Sequence, residues 1–143
     1  LIKKKLRKVK DKNKIFNDDF VNFNYKKNIK DNFSIYSRFT WHTINKKNEI
    51  IFLKKISQLS NLQYIFIETR SDKDNLFGVG EKISKNEFIT DHYRRFINKK
   101  ELIKKIKKNF KIIYCKEAKG FSKFKNEDPC LIRIIAIKKL IKI

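Results

Sequence analysis

Leu62-Gln63-Tyr64-Ile65-Phe66-Ile67-Glu68 is the stretch of sequence that decides the fold. Its aromatic and β-branched residues are typical of a buried strand. A helix is predicted before it, with Asn45 as the N-cap. Apolar residues recur there at helical spacing: Ile50, Leu53, Ile56 and Leu59. Phe33-Ser34-Ile35-Tyr36-Ser37 predicts a strand before that helix. This order of strand, helix and strand predicts a right-handed parallel βαβ unit.

The chain after this unit contains a long polar segment, a helix and two further strands. Residues 69–96 are polar and include Gly78 and Gly80, which predicts a long loop, a type of segment that is often functional. Asn98 and Glu101 form a capping-box pattern at the start of a helix. Its predicted apolar face consists of Leu102, Ile103, Ile106 and Phe110.

The last two predicted strands are Lys111–Cys115 and Cys130–Ile137. No helical periodicity separates them, so they should pair as antiparallel neighbours. At the other end, residues 1–14 resemble the exposed end of a helix, and Ile15 with Phe16 predicts a short strand that leads into an acidic turn. The sequence therefore predicts one α/β domain over residues 1–143, with a parallel sheet that is finished by an antiparallel hairpin.

Composition narrows the classes of function. The hydrophobic share of 41% argues against a disordered chain, and no apolar run reaches the roughly 20 residues of a membrane span. The net charge of +22 is spread along the chain and accompanies no nucleic-acid-binding motif. It therefore predicts a solvated surface with only non-specific affinity for polyanions. Cys115 and Cys130 fit neither a zinc site nor a disulfide framework, so reduced cysteines that act as small hydrophobic residues in a cytoplasmic protein are expected.

Local sequences resemble one enzyme family. Residues 36–44 resemble a "YSRFTLHSI" segment, residues 67–74 an "EFRS-x-x-D" segment and residues 91–96 an "HYRRF" loop. Gly120-Phe121, Asp128-Pro129 and residues 131–136 follow the closing hairpin of the same family. The chain thus resembles the C-terminal part of class I S-adenosylmethionine-dependent methyltransferases, in a bacterial branch similar to enzymes encoded near surface-polysaccharide genes.

The resemblance implies a Rossmann-like methyltransferase sheet with strand order 3-2-1-4-5-7-6. It also implies methyl transfer from S-adenosylmethionine to an oxygen or nitrogen of a small molecule or glycan. The family grips the cofactor with a Gly-rich turn after strand one, but no glycine precedes Gly78 here. Strands one and two are therefore expected to be missing from residues 1–143, and this part of the domain is expected to be inactive alone.

The resemblance also assigns site residues. Asp18, Asp19, Ser37 and Arg38 are implied to bind the cofactor, with Asp18 and Asp19 at the adenine amino group. His42 and His92 are assigned to catalysis, because His42 follows the fourth strand and could act as a general base. The acceptor is assigned to five residues: Glu68, Arg70, Tyr93, Arg94 and Arg95.

Each assignment has a structural alternative. The two aspartates could simply build a turn, and His42 could cap the following helix. Glu68 and Arg70 could form an ion pair that fixes a loop, and the arginines could be surface charge. At the level of the whole protein, the alternatives are a basic nucleic-acid-binding protein and a catalytically dead methyltransferase-like interaction module. No metal site is predicted, because the histidines and cysteines are scattered.

Overall fold

The computed structural model describes residues 16–139, so the predicted helix end at residues 1–14 and Ile15 lie outside the described residues. The described helices are α1 (Tyr25–Asn28), α2 (Lys46–Ser57) and α3 (Lys99–Ile106), with a 3₁₀ helix at Trp41–Thr43. The described strands are β1 (Phe33–Arg38), β2 (Leu62–Arg70), β3 (Glu81–Ser84), β4 (Glu87–Ile89), β5 (Tyr93–Arg95), β6 (Phe110–Ala118) and β7 (Leu131–Lys138).

Four strands form a mixed sheet in the order β1-β2-β7-β6. β1 and β2 are parallel neighbours joined through α2, so the predicted parallel strand–helix–strand unit is confirmed. β7 pairs antiparallel with both β2 and β6, so the predicted closing antiparallel pair is also confirmed. The protein is therefore an α/β protein with a mixed sheet. β3, β4 and β5 form a second, antiparallel sheet.

The core lies between one face of the mixed sheet and the helices α2 and α3. Ile65 of β2 and Ile134 of β7 are fully buried in it, as are Ile56 of α2 and Leu102 of α3. Both helices begin as predicted, because the side-chain oxygen of Asn45 accepts from the Asn48 backbone amide at 2.8 Å and that of Asn98 from the Glu101 amide at 3.2 Å.

Two details of the predicted helix faces are wrong. Ile50 was placed on the apolar face of α2, yet it is 53% exposed, and Phe52 is buried instead. The buried stripe starts at Glu49, whose carboxylate bonds Arg95 and Lys105 inside the protein, and this arrangement turns Ile50 outwards. Phe110 was assigned to the apolar face of α3 but begins β6, after the helix has ended at Ile106.

The predicted long loop at residues 69–96 is the main error, because it contains the end of β2 and the whole second sheet. Strands of three or four residues are too short to show a clear alternation of apolar and polar residues. Their stability comes from aromatic packing between segments. The Phe77 ring lies 5.4 Å from Phe88 and 5.7 Å from Phe96, centroid to centroid.

Two smaller predictions also need correction. Phe16 is not part of a strand, and the segment that follows it contains the predicted turn. Both cysteines are free, but only Cys130 is buried, whereas Cys115 on β6 is exposed. Cys130 alone therefore acts as a small hydrophobic core residue.

Candidate functional site

The carboxyl ends of β1 and β2 lie at the same edge of the sheet because the two strands are parallel. The chain leaves β1 through a tight turn in which Phe39 has a φ of 56° and donates its backbone N–H to the Glu68 carbonyl at 3.0 Å. The hydroxyls of Ser37 and Thr40 share a hydrogen bond of 2.5 Å across this turn. After this turn the 3₁₀ helix packs against β2 and β5, and His42 therefore lies at this edge of the sheet.

Unpaired buried polar atoms concentrate at this edge. Within residues 16–139, the buried side-chain atoms without a hydrogen-bond partner are Trp41 Nε1, His42 Nδ1, Thr69 Oγ1 and Arg70 Nε. They come from two dipeptides, one in the 3₁₀ helix that follows β1 and one at the end of β2. Buried polar groups are normally paired, so a concentration of exceptions marks a place where a ligand group or water completes the bonding.

His42 is the titratable group at the centre of this edge, and it is only 4% exposed. Burial is the main cause that lowers the pKa of His42 to about 4, and the neighbouring Arg70, Arg94, His92 and Arg95 contribute to the same shift. These residues together with His42 are called the His42 cluster below. The imidazole is therefore neutral at pH 7 and can accept a proton or a hydrogen bond.

The arginines of the His42 cluster already have carboxylate partners. Arg70 bonds both carboxylate oxygens of Asp74, at 3.1 and 3.2 Å, and reaches Glu127 at 3.4 Å. Arg94 bonds Asp91 at 2.8 Å, and Arg95 bonds the fully buried Glu49. These pairs neutralise the guanidinium groups and hold them in place. An incoming anion would have to share each arginine with its carboxylate.

His92, a member of the His42 cluster, and its neighbour Tyr93 each contact a carboxylate. The His92 side chain is 53% exposed, and its Nδ1 lies 2.9 Å from an Asp91 carboxylate oxygen. Hydrogen bonds from Thr90 and Arg94 lower the pKa of Asp91 below its usual range. The Tyr93 hydroxyl donates to Glu87 at 2.8 Å, and burial together with this carboxylate raises the pKa of Tyr93.

The predicted ion pair between Glu68 and Arg70 is absent from this part of the structure. Glu68 instead bridges two other arginines, with Arg38 Nε at 3.0 Å and Arg133 Nε at 2.5 Å. Arg38 also donates to the Ser122 hydroxyl at 2.9 Å. Glu68 and Arg70 lie two residues apart, on the same face of β2. They differ in position along the strand: Glu68 bonds arginines of the neighbouring strands β1 and β7, whereas Arg70, at the strand end, bonds to the loop beyond it.

Asp18 and Asp19 lie in an exposed turn before α1. Asp19 accepts from the Val21 backbone amide at 2.9 Å and from the Asn22 side chain at 2.6 Å, and Asp18 accepts from the Asp19 amide at 2.8 Å. This is the turn-building role that the alternative interpretation predicted. No hydrogen bond or ion pair of the described residues joins either aspartate to the His42 cluster. The cofactor assignment of these aspartates stays a prediction.

Several residues of this region escaped sequence reasoning. Trp41 and Thr69 lie inside segments that carry the family resemblance, but the resemblance assigns neither a role, and their unpaired atoms are what reveals them. Glu49 did have a signal, because it stands three and seven residues before Phe52 and Ile56 on the apolar stripe of α2. A carboxylate on such a stripe indicates a buried ion pair.

No model of a known protein family matches this chain, and no curated protein sequence matches it significantly. Among residues 16–139, no helix combines the length and the apolar character required to cross a membrane. The same residues contain no group of three or more potential ligands, from His, Cys, Asp or Glu, arranged to hold a metal ion.

Proposed function

We propose that this chain is the C-terminal part of an S-adenosylmethionine-dependent methyltransferase that acts on an oxygen or nitrogen of a small molecule or glycan. The observation that carries the proposal is the strand order. The final strand, β7, lies between β2 and β6, and β1 lies parallel to β2 on the other side. This order agrees with positions 4-5-7-6 of the sheet that the sequence resemblance implies.

The unpaired atoms support the same proposal. In open α/β sheets, ligands bind outside the carboxyl ends of the strands. His42 Nδ1 and Arg70 Nε lie at that end of β1 and β2 and have no hydrogen-bond partner among residues 16–139. A donor and a neutral imidazole held there suit an acceptor that carries hydroxyl, amine or carboxylate groups.

The chain's own residues have limited chemistry to perform. S-adenosylmethionine, when bound, supplies a methyl group that its sulfonium already activates. Ser37, Arg38 and the Asp18–Asp19 pair are the residues that would hold it. His42 would accept the proton that the attacking oxygen or nitrogen loses. Its lowered pKa keeps the imidazole unprotonated at pH 7 but makes it a weaker base than an exposed histidine. The paired arginines would orient the acceptor.

The first experiment is to read the coding sequence on the 5′ side of the Leu1 codon. We expect roughly 60 or more further residues, enough for two β–α units with a Gly-rich strand-to-helix turn. The protein translated from the longer frame should bind S-adenosylhomocysteine in calorimetry and transfer tritiated methyl groups to glycan or small-molecule acceptors.

His42→Gln should lower kcat in that protein and leave the affinity for S-adenosylhomocysteine unchanged. Glu81→Gln, on exposed β3, is the matched control and should retain full activity. An in-frame stop directly upstream, together with no heat on titration with S-adenosylhomocysteine, would overturn the proposal.

A further inference from the structure

A polar cavity of about 570 Å³ lies between the second sheet and the first turns of α2 and α3. Its volume is within the roughly 300–1,000 Å³ that is usual for small-molecule sites. Asp72 lies just after the end of β2, and Lys46 and Asn98 lie at the starts of the two helices. The cavity is therefore at the edge of the mixed sheet where open α/β folds bind ligands.

The cavity does not involve the part of the sheet beside which the proposed function places further strands. Strands one and two would pair beyond β1, and none of the described lining residues comes from β1. Apart from Lys46, these residues belong to the segment 72–101, which follows β2. Arg95 connects the cavity to the His42 cluster, because it lines the cavity and its Nε donates to the Ile44 carbonyl, beside the 3₁₀ helix, at 2.8 Å.

The charges that line the cavity are balanced, unlike those of the whole chain. Its wall contains three carboxylates and three cations, namely Asp72, Glu87, Glu101, Lys46, Lys85 and Arg95. The chain as a whole has 37 Lys and Arg against 15 Asp and Glu. An anion therefore gains less here than on the basic surface of the protein, and a cation would face Lys46 and Lys85.

The polar groups of the wall include fixed acceptors as well as donors. Asp72 accepts from the Asn98 side-chain amide at 2.7 Å, and Glu87 accepts from the Tyr93 hydroxyl at 2.8 Å. These bonds orient the two carboxylates and leave lone pairs for a ligand. A hydroxyl group both donates and accepts, so a neutral ligand with several hydroxyls can bond to the carboxylates and to the ammonium groups of the same wall.

Phe77 adds an apolar platform to this polar wall. Its ring packs against Phe88 and Phe96, yet the residue remains 40% exposed, and it lines the cavity. A pyranose ring carries C–H groups on its faces and hydroxyls around its rim. An aromatic ring beside carboxylates and carboxamides therefore matches a sugar better than a ligand that is apolar or charged throughout.

We infer that this cavity binds a neutral sugar of a glycan acceptor, with the sugar ring on Phe77 and its hydroxyls bonded to the carboxylates and lysines of the wall. The inference rests on the proposed function, because it identifies the acceptor of methyl transfer as a glycan and gives Arg95 the same ligand in both. Sugar binding needs no S-adenosylmethionine, so it is measured separately from methyl transfer.

The test is saturation-transfer difference NMR of the full protein, without S-adenosylmethionine, with the methyl glycosides of glucose, galactose, mannose, rhamnose and N-acetylglucosamine. Sodium chloride at about 1 M screens binding that depends only on net charge. We expect a neutral glycoside to receive saturation at its ring protons under these conditions. Methyl glucuronide and choline serve as anionic and cationic probes. Saturation of these two alone, or of no compound, would overturn the inference.

Two variants place the sugar in the cavity. Phe77→Leu keeps an apolar side chain but removes the ring, and Glu101→Gln removes a carboxylate while the α3 cap, which uses the Glu101 backbone amide, remains. Each should weaken glycoside binding about fivefold. The matched controls are Phe124→Leu and Glu81→Gln, which replace exposed residues outside the cavity and should leave the affinity unchanged. Equal affinities for the cavity variants and their controls would overturn the inference.

Failure of the inference and failure of the proposed function give different results. Glycoside binding that depends on Phe77 and Glu101, in a protein that binds no S-adenosylhomocysteine, would contradict the proposed function and support the sugar site. Methyl transfer to an acceptor without a sugar, by a protein that binds none of the glycosides, would overturn the inference and leave the proposed function standing.

Discussion

The burial of His42 predicts a specific loss of stability in acid. An unfolded chain protonates a histidine near its ordinary pKa of 6.5, whereas the folded protein holds the pKa of His42 at about 4. Between these values the unfolded state binds the extra proton, so the free energy of unfolding falls as the pH falls. The contribution is fully present above about pH 6.5 and is lost by about pH 4.

The size of this effect follows from the two pKa values. They differ by about 2.5, which corresponds to about 3 kcal/mol at 1.36 kcal/mol for each pKa unit. The cause is physical: a charged imidazole in this position would lose its hydration and face the arginines of the His42 cluster. Carboxylates whose pKa values are lowered, such as Glu117, also destabilise the protein in acid. They act in the wild type and in a His42 variant alike, so they cancel in the difference.

The assay is urea denaturation at several pH values, followed by the fluorescence of Trp41, the single tryptophan and a fully buried one. The stability difference between wild type and His42→Gln should change by about 3 kcal/mol between about pH 7.5 and about pH 4, with the wild type losing more. His92→Gln replaces the only other histidine of the chain, which is on the surface. This control shows whether the pH effect comes from the burial of His42 or from the loss of any histidine. Parallel profiles for wild type and His42→Gln would refute the reasoning.

Two further predictions concern stability. Glu49→Gln removes the negative charge that the buried Arg95 and the half-buried Lys105 share. It should lower the free energy of unfolding, measured by urea denaturation, by about 3 kcal/mol. A loss no larger than that of the exposed control Glu81→Gln would contradict this prediction. Gly80→Ala should destabilise the second sheet more than Gly78→Ala, as measured by hydrogen exchange of the β4 amides. Both glycines have positive φ, which costs an alanine about 1–2 kcal/mol, but only at position 80 would the new Cβ lie 2.2 Å from a backbone oxygen, that of Ile89. Equal exchange rates in the two variants would contradict this comparison.

The parts of the fold that were predictable depend on short-range patterns. The caps at Asn45 and Asn98 act on amides three residues away, so a single sequence displays them. The strands β1, β2, β6 and β7 are long enough to show apolar runs, and the lack of a helix between the last two predicts their antiparallel pairing. The second sheet lacked such a signal, because its strands of three or four residues are held by Phe77, Phe88 and Phe96.

The candidate site was predictable only as a set of residues. The sequence placed His42 after a strand and an arginine-rich segment far along the chain, and the structure brings the two together. The carboxylate partners Asp74 of Arg70 and Asp91 of Arg94 are only four and three residues away. The sequence could not show the distant carboxylate partners, which are Glu49, 46 residues from Arg95, and Glu127, 57 residues from Arg70. For the same reason the Glu68–Arg70 pair was a plausible local alternative and is wrong.

The sequence by itself determined the α/β class, the starts of two helices and the strands of the mixed sheet, because each depends on residues within one turn or one strand. Only the tertiary structure decided which charges are neutralised, which polar atoms remain unpaired around His42, and that Tyr36 and Tyr114 lie on the same exposed face of the mixed sheet. These properties depend on contacts between residues distant in sequence and on the exclusion of water, and neither exists until the chain has folded.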